Sequence, residues 1–560
     1  MQLPRFPCLC PWLLAATLAA QVATPPAAPT AKPGSIEGVV VNAVTHTPVR
    51  KAFVRVAYDT GPGAGRWFWG VTDDAGKFTI ASVDPASYII QDVEAQGYVY
   101  QRPSRSSKAG APIAVAAKRQ VTGVTMELTP LGVIAGKVLD DDGEPLRGVQ
   151  VQAVASDYSR GVRRYLTANM GTTDDRGQFR LIDLQPGRYF VCAWLPPSTS
   201  FQGGAAPEPP LPNTHRTFPE LGYAPAFFPS ANDIAEATAS VVTAGNETSG
   251  VDFRLHAVPV YHIRGKVSNL PADTIRKVAA GDCGRAGWTN LPPLYYTTAK
   301  VDGSFDLWGV TPGVYCVTLV PYGRNNAVYA TGTVVLKDRN LENVNLAAMP
   351  VMPVAGVVRI EGQADLPPAL YVSLRSQNGS AGASSQVKDG RFSIDAIFPE
   401  TYQVSLRNLP PAMYLKAIRY GAEDLPSGAV PIRFDGSVLT LVIGADGGSL
   451  RGTVQTGSGE PAGWAMVSAV PDDAPPGRSD LLKQAITDPG GKFTLPGAPP
   501  GPCKVYAWED SDYSDMVMVP EFTKEFAASA AAVTVSPGGS ATVQVKLIPA
   551  AEAERVKARF

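Results

Sequence analysis

Three short patterns of apolar and polar positions recur in the same order five times along the chain. The first alternates apolar residues and spacers around a glycine and ends in valine, and its copies begin at Ile36, Ile134, Ile263, Val354 and Leu450. Period-two alternation with β-branched residues predicts a strand with one buried face. Because the glycine lies on the buried phase, we expect backbone from the facing sheet to approach it closely.

The second pattern is an aspartate, a short turn, a glycine, one spacer and a phenylalanine. Its phenylalanines are Phe78, Phe179, Phe305, Phe392 and Phe493. Aspartate caps a tight turn with its own side chain and glycine supplies a positive φ, so this pattern predicts a β-hairpin. The phenylalanine then begins an inward-facing strand.

The third pattern is a proline, usually a glycine, one spacer and a tyrosine that enters an apolar alternation. The tyrosines are Tyr88, Tyr189, Tyr315 and Tyr402, and the fifth copy has Cys503 at this position. A tyrosine at such a corner is expected to pack its ring in a sandwich and to hydrogen-bond nearby backbone through its hydroxyl.

The repeats divide the chain into five units that begin near residues 34, 132, 261, 353 and 448. About seven strands in each unit predict an all-β protein, a tandem array of about five small Greek-key β-sandwich domains. Helix signals are nearly absent before the tail that follows Pro549. The predicted segments are a signal peptide 1–20, a Pro/Ala/Thr-rich linker 21–33, sandwiches 34–130, 131–257 (with a Pro/aromatic insertion 196–232), 258–350, 351–446 and 447–549, and a C-terminal tail 550–560.

The first residues are typical of an export signal. Arg5 precedes an apolar run from Pro11 to Ala20 that is too short to span a bilayer. Cys8 and Cys10 lie before that run, whereas a lipoprotein needs a cysteine just after it. We therefore expect an exported product without an integral membrane span in the mature chain, located in the periplasm, on the outer surface or outside the cell.

Composition and charge exclude several function classes. Lys and Arg number 49 against 50 Asp and Glu, so no basic surface is predicted for a nucleic-acid partner. The chain has no Gly-x-Ser-x-Gly nucleophile motif, and its four histidines include no pair at zinc-ligand spacing. We expect neither an enzyme nor a cofactor.

Two polar segments have competing interpretations. The acidic run from Asp140 to Glu144 carries oxygen ligands suited to calcium but lacks full EF-hand spacing, and a solvated turn is the preferred interpretation. Cys283 lies in a Gly-Asp-Cys-Gly segment that superficially resembles a nucleophile loop, without a recognisable base nearby. Cys283 and Cys316 fall in one unit, and whether they pair is a question of geometry that the sequence leaves open.

Aromatic clusters are the best sequence indication of binding. In the run Trp67-Phe68-Trp69, strand alternation places both tryptophans on one face and Phe68 on the other. The insertion contributes Tyr223, Phe227 and Phe228. These five residues, Trp67, Trp69, Tyr223, Phe227 and Phe228, are the candidate ligand-binding residues, since flat aromatic faces stack on sugar rings. In the alternative interpretation one face fills the core and the insertion packs across the neighbouring domain.

The order of the three patterns resembles that of carboxypeptidase regulatory-like domains. The resemblance implies seven-stranded transthyretin-like sandwiches related to the B-type repeats of collagen adhesins and to starch-binding-like folds. Such domains are accessories, and the peptidase's metal ligands do not come with them. The implied function is an exported, non-enzymatic binding or structural protein of a bacterial cell envelope, with a polysaccharide as the most specific ligand class. The alternative is a protein-interaction or spacer array that binds an envelope protein; an enzyme of unrecognised type is a remote third class.

Related adhesin repeats suggest one covalent hypothesis. Some form a Lys–Asn isopeptide crosslink, and Lys137 and Asn246 are the pair in this sequence that such a crosslink would join.

Overall fold

In a computed structural model of the chain, five β-sandwiches are described, together with short helices. The described residues are 32–59, 66–102, 110–159, 161–195, 220–271, 276–282, 294–319, 328–362, 365–377, 382–433, 435–475, 477–510, 513 and 515–560. The predicted signal peptide, most of the linker, residues 196–219 of the predicted insertion and Cys283 lie outside them. None of the helices in these ranges has the length and apolar composition that a membrane-spanning helix needs.

The first sandwich is built from strands that pair into two facing sheets. Its strands are β1 Gly34–Asn42, β2 Phe53–Tyr58, β3 Trp67–Val71, β4 Lys77–Val83, β5 Ala86–Glu94, β6 Tyr98–Val99, β7 Ile113–Val115 and β8 Gln120–Pro130. One sheet has the order β4-β1-β8-β6 and the other the order β3-β2-β5-β7. Ile36, Val54 and Phe78 are buried between the sheets with their neighbours.

The second sandwich repeats this plan with extra short strands. Its elements are β9 Gly132–Leu139, β10 Gln150–Ser159, β11 Val162–Thr172, β12 Gln178–Leu184, β13 Gly187–Trp194, β14 Leu221–Tyr223, β15 Ala226–Phe227, a 3₁₀-helix Ile234–Glu236, β16 Ser240–Val242, β17 Glu247–Thr248, β18 Phe253–Arg254 and β19 Ala257–Pro259. The sheets follow the orders β12-β9-β17 and β11-β10-β13-β15, and β14 pairs with β19.

The third and fourth sandwiches keep the same arrangement. The third contains β20 Tyr261–Ser268, β21 Lys277–Asp282, β22 Tyr295–Thr298, β23 Ser304–Val310, β24 Gly313–Leu319, β25 Val328–Leu336, β26 Leu341–Ala347 and β27 Met349–Pro350. The fourth contains β28 Met352–Ile360, β29 Tyr371–Ser376, β30 Gly382–Gln386, β31 Arg391–Ile397, β32 Thr401–Arg407, β33 Tyr414–Tyr420, β34 Glu423–Asp424, β35 Ala429–Pro431 and β36 Leu439–Gly444.

The fifth sandwich differs because its two sheets are joined. Its elements are β37 Gly448–Gln455, β38 Met466–Pro471, β39 Lys483–Ile486, β40 Lys492–Ala498, β41 Gly501–Trp508, a 3₁₀-helix Met516–Met518, α1 Pro520–Lys524, β42 Ala531–Val535, β43 Ser540–Ile548 and α2 Ala550–Lys557. The order is β39-β38-β41-β43-β37-β40, because β43 pairs in parallel with both β37 and β41.

The glycine of the first pattern and the phenylalanine of the second are cross-strand partners in every sandwich. The pairs are Gly38–Phe78, Gly136–Phe179, Gly265–Phe305, Gly356–Phe392 and Gly452–Phe493. Each phenylalanine is buried, and its ring lies over the glycine that faces it. The first and second patterns therefore depend on each other, because the glycine of one leaves the space that the phenylalanine ring of the other fills.

The backbone that crowds these glycines belongs to the same sheet, so the expected approach from the facing sheet was wrong. A Cβ atom on Gly38 would lie 2.1 Å from the carbonyl oxygen of Val124, on the parallel neighbour β8. Gly38 and Val124 are register partners in the parallel β1–β8 pair, which places that carbonyl beside the glycine.

The second pattern forms the predicted tight turn but not the predicted hairpin. Asp73 Oδ1 accepts hydrogen bonds from the N–H groups of Ala75 at 2.9 Å and Lys77 at 2.8 Å, and Gly76 has a φ of 69°. The strands on either side, β3 and β4, lie in opposite sheets. The turn therefore carries the chain from one sheet to the other, since turn chemistry reverses direction without choosing the next strand's partner.

The third pattern forms the expected tyrosine corner. The hydroxyls of Tyr88, Tyr189 and Tyr315 each donate to a backbone carbonyl four residues earlier at 2.8 Å. Tyr402 accepts instead, from the N–H of Phe398 at 3.2 Å. In the fifth sandwich, Cys503 occupies this buried position.

Raising the pH above 9 is expected to destabilise the fifth sandwich through Cys503. Burial, and secondarily the Asp472 carboxylate, raise the pKa of this thiol to about 11 from its ordinary value of 9.0. Because the folded protein holds the proton more tightly, the associated stability is full below pH 9 and is lost as the pH rises toward 11. Thermal melts of the wild type and Cys503→Ala between pH 8 and 11 test this, and equal pH slopes for both proteins would contradict it.

The fifth sandwich carries a second hydrophobic core that the sequence patterns did not predict. Along β41, Cys503, Val505 and Ala507 face the sandwich core, whereas Tyr506 and Trp508 point to the opposite side. There they pack against a cluster that we call the aromatic annex, whose buried members are Tyr506, Trp508, Tyr513, Met516, Val517, Val519, Phe522, Phe526, Ile548, Ala553 and Val556. The predicted tail 550–560 is thus mainly a packed helix, α2.

The hairpin formed by β10 and β11 of the second sandwich reaches this annex. Tyr158 packs edge-on against Phe560 with ring centroids 6.3 Å apart. The Gly161 N–H donates to the carbonyl of Asp515 at 3.1 Å, and a Cβ on Gly161 would lie 2.7 Å from the carbonyl oxygen of Met518. The second and fifth sandwiches are therefore in direct contact, although two sandwiches separate them in sequence.

Candidate functional site: an aromatic face on the first sandwich

Two tryptophans project from strand β3 at the edge of the first sandwich. Trp67 and Trp69 remain 52% and 55% exposed, so neither belongs to the core. Phe68 points the other way and packs with Tyr88, at a centroid distance of 5.8 Å. The structure thus has the alternation that the Trp67-Phe68-Trp69 run predicts, with the phenylalanine filling the core and both tryptophans facing outward.

Neighbouring strands hold each tryptophan ring from one side. Trp69 stacks on Phe53 of β2 with centroids 5.4 Å apart and an interplanar angle of 26°. The Arg55 guanidinium carbon lies 5.8 Å from the centroid of Trp67, a cation–π distance. Because β2 presents Phe53 and Arg55 on the same face, the two tryptophans are supported by the sheet.

Arg55 is itself fixed by two carboxylates on β5. Its Nη2 lies 3.0 Å from Asp92 Oδ2 and 3.4 Å from Glu94 Oε1, and these side chains remain partly exposed. The Arg55 Nε–H is buried without a hydrogen-bond partner. The face therefore combines two aromatic rings with a guanidinium and two carboxylates. The aromatic rings can stack on the apolar face of a ligand ring, and the charged groups can hydrogen-bond hydroxyls at the edge of that ring.

No local pattern in the sequence indicated that Phe53, Arg55, Asp92 and Glu94 belong to this face. They lie on β2 and β5, and only the strand register brings them beside the tryptophans. Outward alternation along β2 and β5 would have suggested them once the strand partners were known.

The other candidate ligand-binding residues lie in the second sandwich and are packed. Phe227 is 2% exposed and clusters with Val154 and Cys192. Phe228 packs against Phe253 with centroids 5.9 Å apart, and Tyr223 lies against the same core. The structure therefore does not join these three residues with Trp67 and Trp69, and they pack within their own sandwich, whereas the alternative interpretation placed the insertion against a neighbour.

The acidic run beginning at Asp140 is a turn whose first carboxylates already accept hydrogen bonds. Asp140 Oδ1 accepts from the N–H groups of Asp142 at 3.0 Å and Glu144 at 2.8 Å. Asp141 contacts His256 Nδ1 at 2.6 Å and accepts from the Ala257 N–H at 2.9 Å. The Ala257 and His256 bonds, in that order, lower the pKa of Asp141. Across the described ranges, no cluster of three or more His, Cys, Asp or Glu side chains is arranged to hold a metal.

His262 sits in an ion-pair network at the start of the third sandwich. Its Nδ1 lies 2.6 Å from Asp306 Oδ1, and Arg264 Nε lies 3.1 Å from Asp306 Oδ2. Burial raises the pKa of Asp306, but the bonds and charges of His262 and Arg264 outweigh it and leave that pKa below its usual value. His256 and His262 thus make polar contacts with different aspartates.

Two covalent links were considered from the sequence, a Cys283–Cys316 disulfide and a Lys137–Asn246 isopeptide bond. Cys316 is disulfide-bonded, and Cys283 lies outside the described residues. Asn246 is adjacent to Glu247, which pairs with Val133, four residues from Lys137 along β9. That separation is roughly 13 Å along a strand. The structure therefore does not bring Lys137 and Asn246 together, and the Asn246 amide donates instead to Thr243 Oγ1 and to the Ala244 carbonyl.

No family model matches the chain. Among curated proteins it is similar to colossin-A of Dictyostelium discoideum, with 22% identity over 372 residues; the match covers 60% of this chain and 3% of that protein. The chain therefore spans only a small fraction of that relative's length.

Solved structures that resemble the chain include two pilins and the repeat units of a collagen binding protein. The minor pilin GBS52 of Streptococcus agalactiae is 15% identical, with 40% of this chain and 97% of the pilin covered and a TM-score of 0.22. The shaft pilin SpaA of Lactobacillus rhamnosus GG is 11% identical, with coverages of 41% and 98% and a TM-score of 0.22. Two B repeat units of the Staphylococcus aureus collagen binding protein are 7% identical, with coverages of 74% and 99% and a TM-score of 0.13. No function is carried over from them.

Proposed function

We propose that the chain is an exported, non-enzymatic binding protein that uses the aromatic face of its first sandwich to bind a polysaccharide. The single observation that carries this proposal is the pair Trp67 and Trp69, half-exposed on one face and each supported from one side. Exposed apolar patches often mark interaction sites, and tryptophan is a favoured anchor in such sites. The kinship with carboxypeptidase regulatory-like domains, the domain boundaries drawn from the sequence, and an envelope or extracellular location are parts of the same proposal.

Replacing either tryptophan by alanine is expected to weaken polysaccharide binding roughly tenfold or more, since truncating an anchor tryptophan in a binding site typically costs about 2 kcal/mol or more. The measurement is binding of the chain from Thr24 to Phe560 to a panel of soluble and insoluble polysaccharides, for Trp67→Ala and Trp69→Ala. Met170→Ala is the matched control, because Met170 is 55% exposed in the second sandwich and away from this face. Saturable binding that both tryptophan variants leave unchanged would contradict the proposal.

A protein-interaction or spacer array is the second candidate function. The observation that favours it is the edge strand β11, which exposes Leu166 and Met170 and ends its sheet. Exposed strand edges accept a partner strand by β-augmentation. Absence of binding across the polysaccharide panel, with the fold intact, would favour this function over the first.

A further inference from the structure

The fourth and fifth sandwiches line a half-open cavity of about 370 Å³ where they meet. This volume is within the range of small-molecule sites, which often form at domain interfaces. Its apolar wall comes from the fourth sandwich and includes Leu406, Leu409 and Met413. The fifth sandwich contributes Ser479, Asp480 and Lys483.

The cavity is preformed because buried contacts fix the junction around it. The Arg478 side chain is 3% exposed and donates to the backbone carbonyls of Leu415 and Pro426 in the fourth sandwich. Gln403 Nε2 donates in the other direction, to the carbonyl of Gly477 at 2.7 Å. Binding of a ligand would therefore not carry the entropic cost of fixing the two sandwiches relative to each other.

The charges in the cavity leave one cation without a partner. Arg478 holds both oxygens of the Asp480 carboxylate, with Nε and Nη2 each at 2.9 Å. Lys483 pairs with Ala469 through its backbone, and among the described residues its side-chain ammonium makes no hydrogen bond or ion pair. Burial lowers the pKa of Lys483 and the Asp480 carboxylate opposes that shift, so the ammonium is incompletely hydrated and the carboxylate that acts on it is already bound to Arg478. Arg478 and Asp480 cancel, and the net charge that remains is that of Lys483.

We propose that this cavity binds a small monoanion made of a carboxylate on an aliphatic chain, with the carboxylate on Lys483 and the chain against Leu406, Leu409 and Met413. One cation matches one negative charge, and a carboxylate restores the partner that Lys483 lacks. The unbranched methionine adapts to chains of different shape. This site is separate from the aromatic face and does not rest on the proposed polysaccharide function.

The test titrates octanoate into the chain from Thr24 to Phe560, with octylammonium and 1-octanol as matched ligands. Methyl-labelled methionine NMR reports on Met413, whose signal is assigned with Met413→Leu. We expect saturable octanoate binding that shifts the Met413 methyl signal, and much weaker binding of the other two ligands. A Met413 signal unmoved at millimolar octanoate, or octylammonium binding as tightly as octanoate, would overturn the proposal.

Variants at position 483 separate charge pairing from general apolar binding. Lys483→Met is expected to weaken octanoate at least roughly tenfold, the size of one charge-assisted contact, whereas Lys483→Arg retains binding. Lys492→Met is the matched control, since Lys492 is exposed on β40, which follows β39 in sequence but lies at the other end of the strand order. Thermal melts confirm that each variant is folded. Equal octanoate affinity in Lys483→Met and the wild type would also reject the site.

Discussion

Gly452→Ala is expected to destabilise the fifth sandwich by about 3 kcal/mol, although it adds only one methyl group. The new Cβ would lie 1.9 Å from the carbonyl oxygen of Val543 and 2.8 Å from the ring of Phe493. Backbone on the parallel neighbour β43 cannot move aside without breaking its ladder with β37. Hydrogen exchange of the amides in β37 and β43 measures the change in the free energy of opening for this sandwich alone.

The matched control for this prediction lies in the same sandwich. Gly457 is exposed, and a Cβ there would meet nothing within 4 Å, so Gly457→Ala should leave stability nearly unchanged. If both variants opened with the same free energy, the crowding at the glycine–phenylalanine pair would not explain why the glycine is present.

Trp508→Ala is expected to cost about 3–5 kcal/mol and to release the aromatic annex from the fifth sandwich. Trp508 is fully buried and contacts Tyr506, Phe522 and Phe526, with ring centroids 5.1 to 5.6 Å apart. Removing it leaves a large cavity at the centre of the cluster. Hydrogen exchange should accelerate in α1 and α2, while β37 and β40 stay protected.

Two further variants sharpen this prediction. The Trp508 Nε1–H is buried without an acceptor, so Trp508→Phe removes a polar group that costs free energy and should destabilise far less than Trp508→Ala. Trp67→Ala truncates an exposed tryptophan and should leave the annex unchanged. Protection of α2 in Trp508→Ala equal to that of the wild type would show that the annex does not depend on this side chain.

Local sequence patterns predicted the strands well, because the alternation of apolar and polar residues within a strand shows which of its faces is buried. The alternation around Ile36, Gly38 and Val40 and the tyrosine corner at Tyr88 are both present in the structure. The outward direction of Trp67 and Trp69 follows from the same period of two. In these cases the prediction needs only neighbours along the chain.

Predictions failed where the outcome depends on which strands become partners. The turn at Asp73 has the expected hydrogen bonds, yet nothing in its residues says that β4 joins the sheet opposite β3. The crowding at Gly38 was foreseen, but its source, a carbonyl on β8, depends on a parallel pairing across more than eighty residues. Arg55 was missed for the same reason, since its tryptophan and carboxylate partners lie on other strands.

The annex was missed for a different reason. Its helices are short, and the segment from Tyr513 to Phe526 has neither strand alternation nor a sustained helical period. What holds it is the outward face of β41, where Tyr506 and Trp508 occupy positions that a simple sandwich would give to polar residues. Two large aromatics on that face were the available signal.

The docking of the β10–β11 hairpin on the annex changes how the array would respond to a pulling force. A load that separates the second sandwich from the fifth meets the Tyr158–Phe560 and Gly161–Asp515 contacts before it meets any sheet. These contacts lie at a hairpin tip, so we expect them to break before any sheet does. The second and fifth sandwiches could then move apart, and the third and fourth sandwiches would span the distance between them. The array would then lengthen in one step while every sandwich remains folded, and the lengths of the folded third and fourth sandwiches would limit the extension.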